Sequence, residues 1–401
     1  MDFTILRPLL KPNTTKIVLF IIDGIGGLPQ KQDKQTELEV AKTPHLDALV
    51  KESICGLHQP VLPGITPGSG PGHLGVFGYN PIKYQVGRGV LSALGINFDL
   101  GPHDVAARGN FCTIDKQGLV QDRRAGRIPT KKNIELCSEL KTIPLPNVDL
   151  FVRPVKEHRF LLVLRNEQLE GNLADTDPQE LGKPPLEPQA LTTEAGLTAQ
   201  VVDQFIDQAR HKLEPHYPAN MILLRGFSKK PKWPTFQQSF GLKSAAIAAY
   251  PMYKGLARLL GMDVLQTEDT LEQRIHTMKT NWDTYDFFFL HEKKTDSSGE
   301  DGDFQRKVQA IEEVDQHIPQ ILDLEPDVVI ITGDHSTPAE LKYHSWHPVP
   351  TLLWSKVCRP DAVTSFTEKA CITGGLGPRF PAEDLMPLAL ANAFRLEKFG
   401  A

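Results

Sequence analysis

Apolar runs without polar alternation recur at residues 17 to 22, 286 to 290 and 327 to 332. Such runs are what parallel strands show when helices cover both faces of a sheet. Helical patterns alternate with them. Thr43-Pro44-His45-Leu46-Asp47-Ala48-Leu49-Val50 offers Thr as an N-cap and Pro at the first helical position, with apolar residues following at helical spacing. Asp303 to Leu322 sets Phe304, Val308, Ile311 and Val314 on one helical face. The middle of the chain has another texture: Asn110 to Ile114 and Arg159 to Leu164 read as strands, joined by Pro-rich connections at 144 to 146 and 184 to 188. The simplest account is an α/β fold in which residues 1–95 and 245–401 build a mostly parallel sheet flanked by helices. Residues 96–244 then form an inserted, smaller α/β domain.

Length agrees with two domains, since 401 residues exceed what a single core usually supports. The net charge of -5, with Lys and Arg interspersed among Asp and Glu, gives no basic footprint for nucleic acid and points to a small anionic substrate bound locally. Five cysteines, an odd number with no Cys-x-x-Cys pair, argue against a disulfide framework and a structural zinc site. A reducing, cytoplasmic setting is expected. Lys16 to Ile22 is far shorter than the ~20 residues of a membrane span and runs into an Asp, so no membrane association is expected.

The candidate chemistry sits where those apolar runs end. Ile21-Ile22-Asp23-Gly24, Thr66-Pro67-Gly68-Ser69-Gly70-Pro71-Gly72-His73 and Thr332-Gly333-Asp334-His335-Ser336-Thr337-Pro338 each carry groups that bind hard metal ions or phosphate. Lys294 to Asp303 adds a carboxylate cluster after Phe287 to Leu290. Ligands gather beyond the carboxyl ends of parallel strands, so one fold could bring these segments together. Asp, Glu and His donors suit Mn²⁺, Zn²⁺ and similar ions, and two such sites about 4 Å apart can clamp a phosphoryl group. Ser69 needs activation to act as a nucleophile. Its glycine neighbours let backbone approach a phosphate closely, at a point where a helix can start. Each segment also has a plainer use: the Gly- and Pro-rich stretch as a turn, Asp23 as a helix cap, His291 as a hydrogen-bonded strand-end residue, and Glu300, Asp301 and Asp303 as a solvated loop or N-cap. Gly24-Ile25-Gly26-Gly27, with Pro29 close behind, is a poor dinucleotide fingerprint.

Taken in order, these motifs resemble one family over nearly the whole chain: the cofactor-independent (2,3-bisphosphoglycerate-independent) phosphoglycerate mutases, in the archaeal-type branch of the alkaline phosphatase superfamily. The resemblance extends to Gly87-Arg88-Gly89, Arg108-Gly109-Asn110-Phe111, Asp122-Arg123-Arg124-Ala125-Gly126-Arg127, Asp175-Thr176-Asp177-Pro178, Leu224-Arg225-Gly226 and Met252-Tyr253-Lys254-Gly255. It implies an alkaline-phosphatase-like catalytic domain with two divalent metal ions, Mn²⁺ foremost and Mg²⁺, Co²⁺ or Zn²⁺ as alternatives, and an inserted domain that grips phosphoglycerate. Ser69 would carry the phosphoryl group as 3-phosphoglycerate and 2-phosphoglycerate interconvert, a step of glycolysis and gluconeogenesis. A phosphohydrolase of the same superfamily and a catalytically silent metabolite-binding relative are the alternatives.

Carried over by motif, one ion falls to Asp23, Ser69, Asp334 and His335. The other falls to Asp296, Glu300 and a histidine of His344-Ser345-Trp346-His347, for which spacing to Pro348-Val349-Pro350 favours His344 over His347. Glu300 departs from the family, which commonly has histidine there; a carboxylate is the harder ligand and biases the site toward Mn²⁺ or Mg²⁺. A substrate with a phosphate and a carboxylate calls for Arg forks and a Lys. Arg88, Arg108, Arg123, Arg124, Arg127, Arg159, Arg225 and Lys254 are available, with Arg127, Arg225 and Lys254 favoured by motif. For the general acid/base, Asp122, Asp175, Asp177 and His158 all stand open.

Overall fold

The computed structural model describes residues 2–31 and 34–400. The strands are β1 Ile17–Ile22, β2 Ile54–Gln59, β3 Asp104–Ile114, β4 Val120–Asp122, β5 Asp149–Lys156, β6 Arg159–Arg165, β7 Met221–Ser228, β8 Ser244–Ile247, β9 Asp263–Val264, β10 Phe287–Glu292, β11 Val328–Thr332, β12 Val349–Ser355 and β13 Gly377–Pro381. The chain packs as two compact units. One comprises Met1–Gln85, Trp233–Tyr250 and Leu260–Ala401, the other Val86–Lys232 with Pro251–Leu259.

The first unit is built on an eight-stranded sheet in the order β13-β2-β12-β11-β1-β10-β8-β9. β12 runs antiparallel to both its neighbours, and every other pairing is parallel. The three apolar runs are the adjacent strands β11, β1 and β10, and their residues are buried throughout. This is the consequence of covering a parallel sheet on both faces. Val18, Phe20 and Ile22 share a core cluster with Ile311, Val314 and Ile318 of the helix Phe304–Leu322 and with Leu46, Leu49 and Val50 of the helix Pro44–Val50. Both helices start where their sequences predict: Asp303 caps the first by accepting from Arg306 N at 3.0 Å, whereas Thr43 stands at the N-cap position before Pro44 without a side-chain capping bond.

The second unit carries a five-stranded antiparallel sheet, β4-β3-β6-β5 with β7 on the other edge of β3. The expected strands at 110 to 114 and 159 to 164 lie within neighbouring β3 and β6. Phe111 and Phe160 meet at 4.8 Å between ring centroids, and the helices Thr130–Leu140 and Gly196–Leu213 complete that core. The edges of the unit differ from the expected 96 and 244. The helices Arg88–Gly95 and Pro251–Leu259, assigned from sequence to the outer segments, belong here. Glycines explain why: a Cβ at Gly89 would lie 2.1 Å from Ala106 O on β3, and one at Gly255 would lie 2.1 Å from Leu91 O. The backbones therefore pack in direct contact, and hydrophobic periodicity carries no mark of that. No helix among the described residues is long and apolar enough to cross a membrane.

Candidate active site

Strand register positions the first group of side chains. Ile22 on β1 pairs with Glu292 on β10, and Ile21 pairs with Thr332 on β11. Asp23, Lys293 and the Gly333-Asp334-His335 turn therefore leave the sheet at one level, as the rule for ligand sites in parallel sheets anticipates. Asp23, Asp334 and His335 are fully buried, and their donor atoms lie within 4.8 Å of one another. His335 Nε2 is 3.1 Å from Asp334 Oδ2 and 3.5 Å from Asp23 Oδ1.

Ser69 starts the helix Ser69–Val76, with Gly68 as its N-cap in extended conformation, and stays partly exposed. Its hydroxyl lies 3.2 Å from His335 Nε2. One turn on, His73 places Nδ1 2.8 Å from Ser69 O and 3.0 Å from Asp334 Oδ2, which ties the helix to the acidic group. The glycines matter for a close approach here as well: a Cβ at Gly72 would meet Asp334 O at 2.3 Å. Phe77 and Phe289 pack edge to face at 4.8 Å and seat the same helix on β10.

The second group comes from the helix Lys294–Glu300 and the loop after β11. The buried Glu292 carboxylate accepts from Lys293 N and Lys294 N, each at 2.9 Å, so the strand end caps the helix that delivers Asp296. Asp296, His335 and His344 also bring their donor atoms within 4.8 Å of one another. His344 Nε2 is 3.6 Å from Asp296 Oδ1 and 3.8 Å from Glu300 Oε1. The Glu300 side chain is 54% exposed, unlike the buried Asp296, so it stands at the solvent side of the group. His347 faces elsewhere, its Nδ1 3.0 Å from Ser345 Oγ, and lines a neighbouring cavity of about 790 Å³ with Thr36 and Glu368.

Thr337 joins the two groups. Its hydroxyl donates to Asp296 Oδ1 at 2.6 Å and lies 3.0 Å from His335 Nδ1. With its own proton given to the carboxylate, the hydroxyl accepts from Nδ1–H, which leaves His335 Nε2 for the Asp23 side. Lys293 also links the groups, with Nζ 3.1 Å from Asp23 Oδ2 and paired with Asp296 Oδ2. Burial and Asp334 press the Asp23 carboxyl upward, but Lys293, His291 and His335 outweigh them and hold it down to about 2. Burial alone would lower the His335 imidazole; Asp334, Asp23 and Asp296 raise it to about 9. Against its burial, Asp334 is held well below the usual carboxylate range by His335 and His73. Carboxylate oxygens and imidazole nitrogens without thiolate make a donor set suited to two divalent ions such as Mn²⁺ or Zn²⁺.

The second unit carries its own concentration of charge. His158 is buried, and burial followed by Arg159, Arg124, Arg108 and Arg127 pushes its imidazole down to about 3. Arg88 lies within electrostatic reach of Arg225 and Arg159. Arg123 grips Asp177 at 2.8 and 2.6 Å, and Arg225 Nε donates to Asp175 Oδ2 at 3.0 Å. Asp122 is taken up by its own turn, accepting from Arg124 N and Gly126 N. Arg127 is exposed, and Lys254 is half-buried on the helix Pro251–Leu259 of this unit.

Sequence reasoning passed over Lys293 and Thr337 as site residues and gave His73 no role. A signal existed for two of them: His73 stands one helical turn from Ser69, and Lys293 directly follows a parallel strand. Thr337 lies inside the Thr332 to Pro338 motif, but nothing there marks its hydroxyl as the bridge between the two groups.

Residues 50–220 match the family model described as 2,3-bisphosphoglycerate-independent phosphoglycerate mutase. A protein of Aquifex aeolicus named as a probable 2,3-bisphosphoglycerate-independent phosphoglycerate mutase is 51% identical over 99% of this chain and 100% of its own length. A protein of Thermus thermophilus with the same name is 50% identical, over 100% of this chain and 99% of its own. Among solved structures, a protein from Pyrococcus horikoshii superposes with a TM-score of 0.84 at 31% identity, covering 97% of this chain and 100% of that one. The cofactor-independent phosphoglycerate mutase from Thermoplasma acidophilum superposes with a TM-score of 0.69 at 28% identity, covering 94% of this chain and 100% of that one.

Proposed function

Because the chain belongs to the 2,3-bisphosphoglycerate-independent phosphoglycerate mutase family, we propose that it interconverts 3-phosphoglycerate and 2-phosphoglycerate through a phosphoserine at Ser69. The observation that carries this reading is the Ser69 hydroxyl at a helix N-terminus, 3.2 Å from His335 Nε2, with two groups of ligating side chains around it.

One ion would be held by Asp23, Ser69, Asp334 and His335, the other by Asp296, Glu300 and His344. The Thr337 contact supports this division, since it leaves His335 one nitrogen to give and directs it to the first set. Bound there, the ions would neutralise phosphoryl oxygens and lower the pKa of the serine hydroxyl. Mn²⁺ is the expected ion, with Mg²⁺, Co²⁺ or Zn²⁺ able to substitute.

Ser69 Oγ attacks phosphorus, its proton departs, and the bond from phosphorus to the 3-oxygen of the substrate breaks. The unsatisfied N–H groups of the helix that begins at Ser69 face the phosphoryl oxygens. The released 3-oxygen takes a proton, the glycerate reorients, and its 2-hydroxyl gives up a proton as it attacks the phosphoserine. Ser69 is thereby regenerated with no net gain or loss of protons. Asp122, Asp175, Asp177 and His158 are the candidates for this shuttle; Asp122 is held in its own turn, Asp177 in the Arg123 fork and Asp175 by Arg225 and Gly226 N. The role assigned to the second unit is to hold the phosphoglycerate. Its guanidinium groups, Arg127 and Arg225 among them, and Lys254 suit an anion with both a phosphate and a carboxylate. Glycolysis and gluconeogenesis in the cytoplasm are the proposed setting.

The test is conversion of 3-phosphoglycerate by purified protein after chelation and Mn²⁺ re-addition, with no bisphosphoglycerate present and free phosphate followed alongside. Metal-dependent 2-phosphoglycerate without phosphate release is expected. Phosphate release alone would move the assignment to a hydrolase, and neither product would make the chain a silent relative.

A further inference from the structure

A buried lysine outside the ligand sets touches both loops that carry them. Lys307, on the helix Phe304–Leu322, is fully buried, and its Nζ donates to Gly26 O at 2.9 Å and to Thr337 O at 2.8 Å. Gly26 belongs to the loop that follows Asp23, and Thr337 to the turn that follows Asp334 and His335. The two loops also bond directly, Thr337 N donating to Gly26 O at 3.0 Å. The third neighbour of the ammonium is the buried Glu37, 3.8 Å away, whose Oε1 accepts from Ala339 N at 2.7 Å. Burying an ammonium is unfavourable unless it is paired and hydrogen-bonded, and here two carbonyls and one carboxylate meet that need.

Thr337 is where this contact reaches the site. Its carbonyl accepts from Lys307 while its hydroxyl joins His335 Nδ1 to Asp296 Oδ1. The helix that delivers Asp296 and Glu300 rests on the same carbonyl: a Cβ at Gly299 would come within 2.2 Å of Thr337 O. A Cβ at Gly24, next to Asp23, would come within 2.6 Å of Thr337 Oγ1. One residue therefore sets the distance between the loop of Asp23, the turn of His335 and the helix of Asp296, and Lys307 holds that residue in place.

We infer that Lys307, paired with Glu37 and acting through Thr337, is a positioning residue that fixes the spacing of the two metal-binding groups. The inference rests on the two-ion reading of the Ser69 site. Groups that orient metal ligands typically change affinity by about 10- to 100-fold when removed. A residue that merely supports the core would lower the melting temperature and leave the affinity of the folded protein alone.

The experiment is Mn²⁺ titration by calorimetry of the chelated full-length protein, alongside melting of the metal-free form. Wild type is expected to bind two ions. Lys307→Met combined with Glu37→Gln removes both buried charges together, and it is expected to melt cooperatively while binding both ions about ten-fold more weakly or worse. Thr337→Val, which keeps shape and loses the hydroxyl, is expected to weaken both sites, and Thr337→Ser to restore them. Wild-type affinity in the Lys307/Glu37 double variant overturns the inference. Should that variant not fold, wild-type affinity in Thr337→Val overturns it alone. Failure of the wild-type protein to bind Mn²⁺ would instead reject the two-ion reading, and the inference with it.

Discussion

His344 donates Nδ1–H to the carbonyl of Pro67 at 2.9 Å, so the loop of His344 braces the turn that leads into Ser69. The same bond leaves Nε2 facing Asp296 and Glu300, the orientation a ligating imidazole needs. His335 stacks on it, the ring centroids 3.6 Å apart. His344→Ala is therefore expected to weaken Mn²⁺ binding and turnover together, whereas His347→Ala is expected to leave Mn²⁺ binding near wild type. Side-by-side titrations decide between the two histidines, and the reverse pattern would reassign the ligand.

Ser69→Ala removes one oxygen from a partly exposed position, so the fold should survive with a melting temperature close to wild type. Conversion of 3-phosphoglycerate and any phosphoserine detected by mass spectrometry should both vanish. Retained turnover would mean that another group carries the phosphoryl.

Glu300 is exposed enough to be exchanged without disturbing the core. Glu300→Ala should weaken the second ion by about 10-fold or more, while Glu300→His should shift preference from Mn²⁺ toward Zn²⁺ because imidazole is the softer donor. Metal competition assays read this, and an alanine variant with unchanged affinities at both sites would remove Glu300 from the ligand set.

Without metal, the His335 imidazole is raised to about 9, above its unfolded value of about 6.5. A raised folded value contributes stability that is fully present below about pH 6.5 and lost as pH rises through about 9. Asp23, held down to about 2, contributes in the opposite sense: its share is present above about pH 4 and lost as pH falls through about 2. Chelated protein should therefore lose melting temperature between pH 6.5 and 9, and His335→Gln should flatten that slope. Parallel slopes for the two proteins would contradict the assignment.

Phe289 is fully buried, with its ring 4.8 Å from Phe77, 5.6 Å from His73 and 5.8 Å from His291. Phe289→Ala should destabilise by about 3–5 kcal/mol through lost burial and the cavity left behind. Turnover should fall as well, because the helix of Ser69 loses its seat on β10. Denaturant melts measure the first effect; a loss below about 1 kcal/mol would show that the site collapses around the gap.

Much of the architecture was legible along the chain because burial leaves a local trace. Runs such as Phe287 to Leu290 carry no polar residue since helices cover both faces of the sheet, and the cap at Asp303 and the proline at Pro44 announce their helices directly. The motifs ending those runs pointed to the family and to Asp23, Ser69, Asp334 and His335 as neighbours. The reversed direction of β12 and the membership of Arg88–Gly95 in the second unit left no such trace.

Sequence alone determined the three apolar strands β1, β10 and β11, where their carboxyl ends would fall and which side chains would stand there, because periodicity and composition report each residue's own burial. Only the tertiary structure decided that Thr337 meets Asp296, that Lys307 reaches Gly26 and that His344 rather than His347 turns toward the carboxylates. Those pairings depend on strand register and on helix backbones packed against glycine. Such contacts join residues far apart in the chain, and no pattern within either segment records the other.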